Sequence, residues 1–198
     1  GQTRPEFWRN YHWLDGGDCG LLSRWPIEKL PSKRIGPWSP PQMALVSLNK
    51  DRRLLVVNVR LMLPSLVLNP LSRRNRIRLA EDHKNRIAQF PALGELIEKT
   101  LSDRAVDQAI LAGDFNTPAR SLSERPLQKW FRDAWRIKGT GWGGTMTNEF
   151  PVARIDQVWI TPGIEPIDGK VLDGSPSDHR LLIIDLILPQ DMLTQSNH

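Results

Sequence analysis

At 198 residues the chain suits one domain, and a domain of that size buries about 70% of its unfolded surface without needing cross-links. Cys19 is the single cysteine, which excludes an intrachain disulfide and a cysteine-built metal cage. The net charge of +5 and the run Ser72-Arg73-Arg74-Asn75-Arg76-Ile77-Arg78 lean toward polyanionic partners such as nucleic acid or acidic headgroups, although a solvated helix face accounts for the same run.

No apolar run approaches the ~20 residues of a membrane span, and no signal peptide is visible. The first residue is Gly1 and not Met, so the sequence is expected to be a piece of a longer protein. Residues 1–40 carry Trp8, Trp13, Trp25 and Trp38 among many Gly and Pro residues. Met43–Leu48 and Leu54–Leu63 then read as apolar strands, joined as a hairpin through Asn49-Lys50-Asp51. A helix is expected from about Arg73 to Ser102, with Ile87, Phe90, Leu93, Ile97 and Leu101 forming one apolar face. Pro91 lies inside it and should kink the helix or begin a second one.

Gln108–Gly113 is a short buried strand ending at Asp114, and Ser123–Trp135 carries a helix. Gly139–Gly144 is a glycine-rich loop, Arg154–Thr161 and Leu181–Leu188 are the last two strands, and residues 191–198 form a tail. Residues 1–190 then make a single domain. Strands and helices in this order argue for a layered α/β structure with a mixed or antiparallel sheet.

Three polar segments stand at strand ends. In Gly113-Asp114-Phe115-Asn116, alternation turns Asp114 and Asn116 the same way and Phe115 into the core, so that the polar pair can hold a water molecule. A simple strand-end turn accounts for the same residues. In Arg154-Ile155-Asp156-Gln157-Val158-Trp159, Asp156 interrupts an apolar strand, which is costly unless it is paired; Arg154 is one candidate partner. In Ser177-Asp178-His179 an imidazole can act as acid, base or phosphate-binding cation, and a capped strand start is the alternative.

Taken in this order, the three segments resemble the endonuclease/exonuclease/phosphatase superfamily, the fold of pancreatic deoxyribonuclease and of apurinic endonucleases. Cys19-Gly20-Leu21-Leu22-Ser23-Arg24-Trp25-Pro26-Ile27 is similar to a further strand of that family, and the likeness runs from about Gly17 to Leu188. It implies a four-layered α/β/β/α sandwich of two packed mixed sheets. It also implies metal-dependent hydrolysis of phosphate esters with Mg²⁺ or Mn²⁺. Asp114 would position or deprotonate the attacking water, Asn116 would hold the nucleophile and a phosphate oxygen, and His179 would contact the phosphate. Asp156 would orient His179, and Asp178 would face the metal together with Asp114 and Asn116. Asn58 and Arg60 would lie against the substrate phosphate.

Two departures accompany the likeness. The family places an Asn strand and a Gln-Glu metal ligand before the Ser-Arg-aromatic-Pro-Ile segment, whereas only 22 residues precede Ser23. The Glu is therefore expected upstream of Gly1, with Glu6, Asp15 or Asp18 as substitutes, and a sheet lacking its first strands should pair with a second copy through its edge. The other departure is Asn58-Val59-Arg60-Leu61, where relatives carry His; Arg60 can clamp a phosphate but cannot serve as an acid near neutral pH. The expected function is a phosphodiesterase, with nuclease favoured over phosphatase because of the basic helix and the tryptophans. The alternative is a binding module that keeps the cleft without the chemistry.

Overall fold

The computed structural model describes residues 8–36, 40–65, 69, 71–104, 106 and 108–190. Trp38, Glu6 and the tail 191–198 lie outside these residues. The strands, in chain order, are β1 (His12–Asp15), β2 (Gly20–Ser23), β3 (Ile27–Leu30), β4 (Gln42–Ser47), β5 (Arg53–Arg60), β6 (Ala109–Asp114), β7 (Arg132–Asp133), β8 (Asp156–Ile160), β9 (Glu165–Leu172) and β10 (Leu181–Ile187). Helix α1 spans Arg73–Arg104, a 3₁₀ helix spans Leu122–Lys129, and α2 spans Ala134–Lys138.

Six strands form one mixed sheet in the order β3-β4-β5-β6-β8-β7. The expected hairpin is present, with β4 and β5 antiparallel and Val46 opposite Leu54. Its turn is fixed by Asn49, whose Oδ1 accepts from the backbone N–H groups of Asp51 and Arg52. β5 and β6 are parallel, with α1 lying between them in the chain, and parallel neighbours need such a crossover.

Alternation along the strands gives this sheet two apolar faces. Leu55, Val57 and Val59 of β5 and Leu111 of β6 meet Phe90, Leu93 and Ile97 of α1 in one cluster. Each such side chain contributes roughly 1.5–3 kcal/mol by leaving water. On the opposite face, Leu54, Val46 and Ile160 pack with Leu21 of β2 and with Ile184 and Leu186 of β10. The second layer of strands consists, among the described residues, of two antiparallel pairs, β1–β2 and β9–β10.

Several expectations need correction. Pro91 begins no second helix, because α1 runs unbroken through it. The missing amide hydrogen leaves one carbonyl in the preceding turn without its helical partner, while Phe90, Leu93 and Ile97 hold both sides against the sheet. Ile87 is 38% exposed and stands off the buried face. Ser123–Trp135 contains a 3₁₀ helix, a two-residue strand and the start of α2 instead of one helix. β9, unexpected from the sequence, precedes β10 and pairs with it. In the glycine-rich loop, Gly143, Gly144 and the adjacent Thr145 are buried.

Candidate functional site

The sheet ladder assembles the site. Arg60 is the register partner of Asp114 across β5–β6, and Asp114 is the partner of Asp156 across β6–β8. Ladder partners present their side chains on the same face, so one row across three strands carries a cation and two carboxylates. Arg60 Nε lies 3.9 Å from Asp114 Oδ2. His179 reaches the row from the loop before β10, its Nδ1 2.8 Å from Asp156 Oδ2. Asp114, Asp156 and His179 each offer an atom, and these atoms lie within 4.8 Å of one another. The paired group expected for Asp156 is therefore His179. Arg154 is bonded instead to Asp133, in a buried ion pair.

Close backbone packing supports the row. Gly113 has φ +135°, and a Cβ there would fall 2.0 Å from the Val59 carbonyl oxygen; only glycine lets β5 and β6 meet at this point. A Cβ on Gly174 would fall 1.9 Å from the His179 carbonyl oxygen. The His179 loop is braced further by Asn148, whose Oδ1 accepts from Gly174 N at 2.9 Å and whose backbone N–H donates to the Asp178 carbonyl at 2.7 Å. Thr145 Oγ1 accepts from the backbone N–H groups of Ile155 and Asp156, both at 3.1 Å. Thr145, Asn148 and Gly174 went unnoticed in the sequence, since nothing local separates them from ordinary loop residues.

Asn116 turns inward. Its Nδ2 donates to the Leu61 carbonyl at 2.8 Å and to Asp114 Oδ2 at 3.0 Å, and its backbone N–H donates to Asp114 Oδ1 at 2.9 Å. At 5% exposure and φ +47°, Asn116 grips Asp114 from beneath. Asparagine is among the few residues that adopt this backbone region at small cost. Phe115 between them is fully buried. Arg86 from α1 anchors the same turn, donating to the Asn116 carbonyl at 3.1 Å and to Thr117 Oγ1 at 3.2 Å.

The row opens into a cleft of about 390 Å³ whose wall includes Asp18, Asn58, Arg60, Asp114, Asp156, Asp178 and His179. Asn116 is not part of that wall. Asn58 lines it but spends its Nδ2 on the Gly20 carbonyl at 2.8 Å, tying β5 to β2. Asp178 is exposed at the rim. Of the three suggested substitutes for a further acidic ligand, Asp18 lies in the cleft, whereas Asp15 caps the turn at Gly17 with its Oδ1. Burial pushes the Asp114 carboxyl above its ordinary value; the Asn116 amide works against this, and the nearby Asp156 charge adds to it. Burial likewise raises the Cys19 thiol.

Four carboxylates against one guanidinium and one imidazole make a donor set that a hard divalent cation fits. The crowding of Asp114 and Asp156 in one row also calls for a compensating positive charge.

Sequence comparison with the Endonuclease/Exonuclease/phosphatase family matches residues 4–179. The chain belongs to that family. Comparison with individually curated proteins gives no match. Among solved structures, an endonuclease/exonuclease/phosphatase family protein from Bacteroides thetaiotaomicron superposes with a TM-score of 0.66 at 17% identity, covering 96% of this chain and 77% of that one. A mannosyl-6-phosphatase from the same organism gives 0.65 at 16% identity, covering 91% and 78%. A Neisseria 3′ phosphatase bound to product DNA hairpin gives 0.62 at 16% identity, covering 90% and 80%. At these identities the likeness establishes the deoxyribonuclease I-like fold that the family members share.

Among the described residues, no helix is long and apolar enough to cross a membrane.

Proposed function

We propose that this chain hydrolyses phosphate diesters in the Asp114–Asp156–His179 cleft with Mg²⁺ or Mn²⁺, and that nucleic acid is its substrate in preference to a phosphomonoester. The observation that carries the reading is the row Arg60–Asp114–Asp156 completed by His179 at 2.8 Å from Asp156. It gathers a base, a phosphate-facing cation and an oriented imidazole on one face, as hydrolysis at phosphorus requires.

In this reading Asp156 accepts from His179 Nδ1–H, which fixes the tautomer and leaves Nε2 for a phosphate oxygen. Asp114 receives a proton from the attacking water and is held for that task by its hydrogen bonds to Asn116. Asn116 acts through Asp114 by holding both its oxygens. Arg60 neutralises the phosphate and is always charged, so it gives no proton to the leaving group. Asp114, Asp178 and Asp18 are the carboxylates that would hold the divalent ion. When bound, that ion would supply charge neutralisation at the scissile phosphate and leaving oxygen.

The nuclease preference is supported by the exposed Arg73, Arg74, Arg76 and Arg78 at the start of α1 and by the open tryptophans. Both named relatives are phosphatases, the Neisseria one bound to product DNA hairpin and a Bacteroides one a mannosyl-6-phosphatase, so the diester preference rests on the basic and aromatic surface of this chain. The test is hydrolysis of bis-p-nitrophenyl phosphate and plasmid DNA with Mg²⁺ or Mn²⁺, comparing wild type with Asp114→Ala and His179→Ala. Metal-dependent cleavage lost in both variants is expected. Cleavage that persists in both would place the chemistry elsewhere, and no cleavage by wild type would favour a binding module on the same scaffold.

A further inference from the structure

A second pocket of about 370 Å³ shares no lining residue with the cleft and has the opposite character. Its wall contains Arg120, Arg136 and Arg154, with Trp135 and Trp142, and no acidic residue. The segments that line it lead directly into the site. Pro118–Arg120 follows the Asp114–Asn116 turn, and Ala153–Arg154 precedes Asp156. Arg154 and Asp156 are two residues apart, which keeps their Cα atoms within about 7 Å.

Arg154 is the informative member. Its side chain is only 7% exposed, its Nη2 is bonded to Asp133, and its guanidinium carbon lies 6.0 Å from the centre of the Trp135 ring. Its Nη1 is buried and has no hydrogen-bond partner. A buried guanidinium donor without an acceptor is unfavourable, and because the atom has no exposed surface it becomes available to an anion only when the pocket wall opens. Arg120 and Arg136 are exposed on the same wall. Trp142 is 76% exposed, yet its ring is held by an Nε1 hydrogen bond of 2.7 Å to the Pro151 carbonyl. A fixed, open indole beside three guanidiniums offers what a nucleotide offers in return, a flat base and a phosphate.

We infer that this pocket is a subsite for a nucleotide flanking the scissile one in single-stranded nucleic acid, with the phosphate on Arg120, Arg136 and Arg154 and the base against Trp142. The inference rests on the hydrolase reading for the position of the scissile bond, but the binding it describes needs no chemistry. Phe150 and Val152, 75% and 55% exposed, extend the apolar surface beyond Trp142.

The experiment measures fluorescence anisotropy of a labelled short oligothymidylate with the full chain in EDTA, across a salt series, with bis-p-nitrophenyl phosphate hydrolysis followed in parallel with Mn²⁺. The Arg120→Ala/Arg136→Ala double variant should bind about tenfold more weakly, with a log–log salt slope smaller by about 1. Trp142→Ala should lose about fivefold or more at unchanged slope. Both should hydrolyse the small diester at the wild-type rate, because it does not reach the pocket. Unchanged oligonucleotide affinity in both variants overturns the subsite, and so does a matching loss of small-diester hydrolysis. Binding to vesicles containing a phosphoinositide, abolished by the same variants while the oligonucleotide is not bound, would also overturn it. If wild type shows the expected binding pattern but no metal-dependent hydrolysis, the hydrolase reading alone fails.

Discussion

Asn116 holds both oxygens of Asp114, one through its backbone N–H at 2.9 Å and one through its side-chain amide at 3.0 Å. The same amide is tied to the Leu61 carbonyl at 2.8 Å, so the carboxylate is positioned from two strands at once. Asn116→Ala should lower kcat for diester hydrolysis by about 10–100-fold, the usual cost of removing a group that orients a catalytic or metal-binding one. It should also lower stability by about 1–3 kcal/mol, because the Leu61 carbonyl loses its buried donor. Steady-state kinetics and denaturant melts measure the two effects.

Asp156→Asn keeps the shape of the Asp156–His179 pair but replaces an acceptor with a group that also donates. With Nδ1 no longer required to carry the proton, Nε2 is not reliably presented to the phosphate. Hydrolysis should fall by about 10²–10⁴-fold, a loss of the size attributed to a positioned acid or base, while thermal stability changes little. A variant with wild-type kcat would remove the imidazole from the mechanism.

Asp114 supplies a pH signature in the metal-free protein. Burial raises its pKa in the folded state above the ordinary 3.8. The neutral carboxyl is thus the form the fold favours, and its contribution is fully present below the ordinary value. That contribution is lost as pH rises through the elevated folded pKa. In EDTA the melting-temperature difference between wild type and Asp114→Ala should therefore be larger at acid pH and shrink across that window. Adding Mn²⁺ at pH 7 should raise the melting temperature of wild type more than that of the variant. A difference independent of both pH and metal would contradict the placement of Asp114.

Gly113→Ala should be severely destabilising. The new methyl would strike the Val59 backbone carbonyl, and φ at this position is +135°, so neither a rotamer change nor a small backbone shift relieves it. A loss of at least about 2 kcal/mol is expected, with activity falling further because β5 and β6 carry Arg60 and Asp114. Chemical denaturation with activity assayed on the residual folded fraction separates the two effects.

The sequence made the chemistry more legible than the scaffolding. Asp114, Asp156 and His179 stand out because polar residues at the ends of apolar strands are conspicuous against a period of two. Their meeting within 4.8 Å depends on ladder register and on the His179 loop, neither of which is written locally. The inward turn of Asn116 is not legible in the sequence, because strand alternation ends with β6 at Asp114 and Asn116 has positive φ. β9 was missed because Pro166 and Gly169 interrupt it and its apolar content is thin, features that argue against a strand when its partner is unknown. The helix is legible from its apolar spacing of three and four, and Pro91 does not end it because buried contacts lie on both sides. Of the substitutes offered for the missing Glu, the pairing of β1 with β2 brings Asp18 to the wall of the cleft.

Arg60, Asp114 and Asp156 are register partners on three adjacent hydrogen-bonded strands, and this makes the cleft intolerant of length changes. Inserting or deleting a single residue within β6 would leave a plausible strand but send the Asp114 carboxylate to the opposite surface. Natural variation in length would therefore be confined to the segments entering the cleft from outside the sheet, such as the turn after β1 and the stretches ahead of β8 and β10.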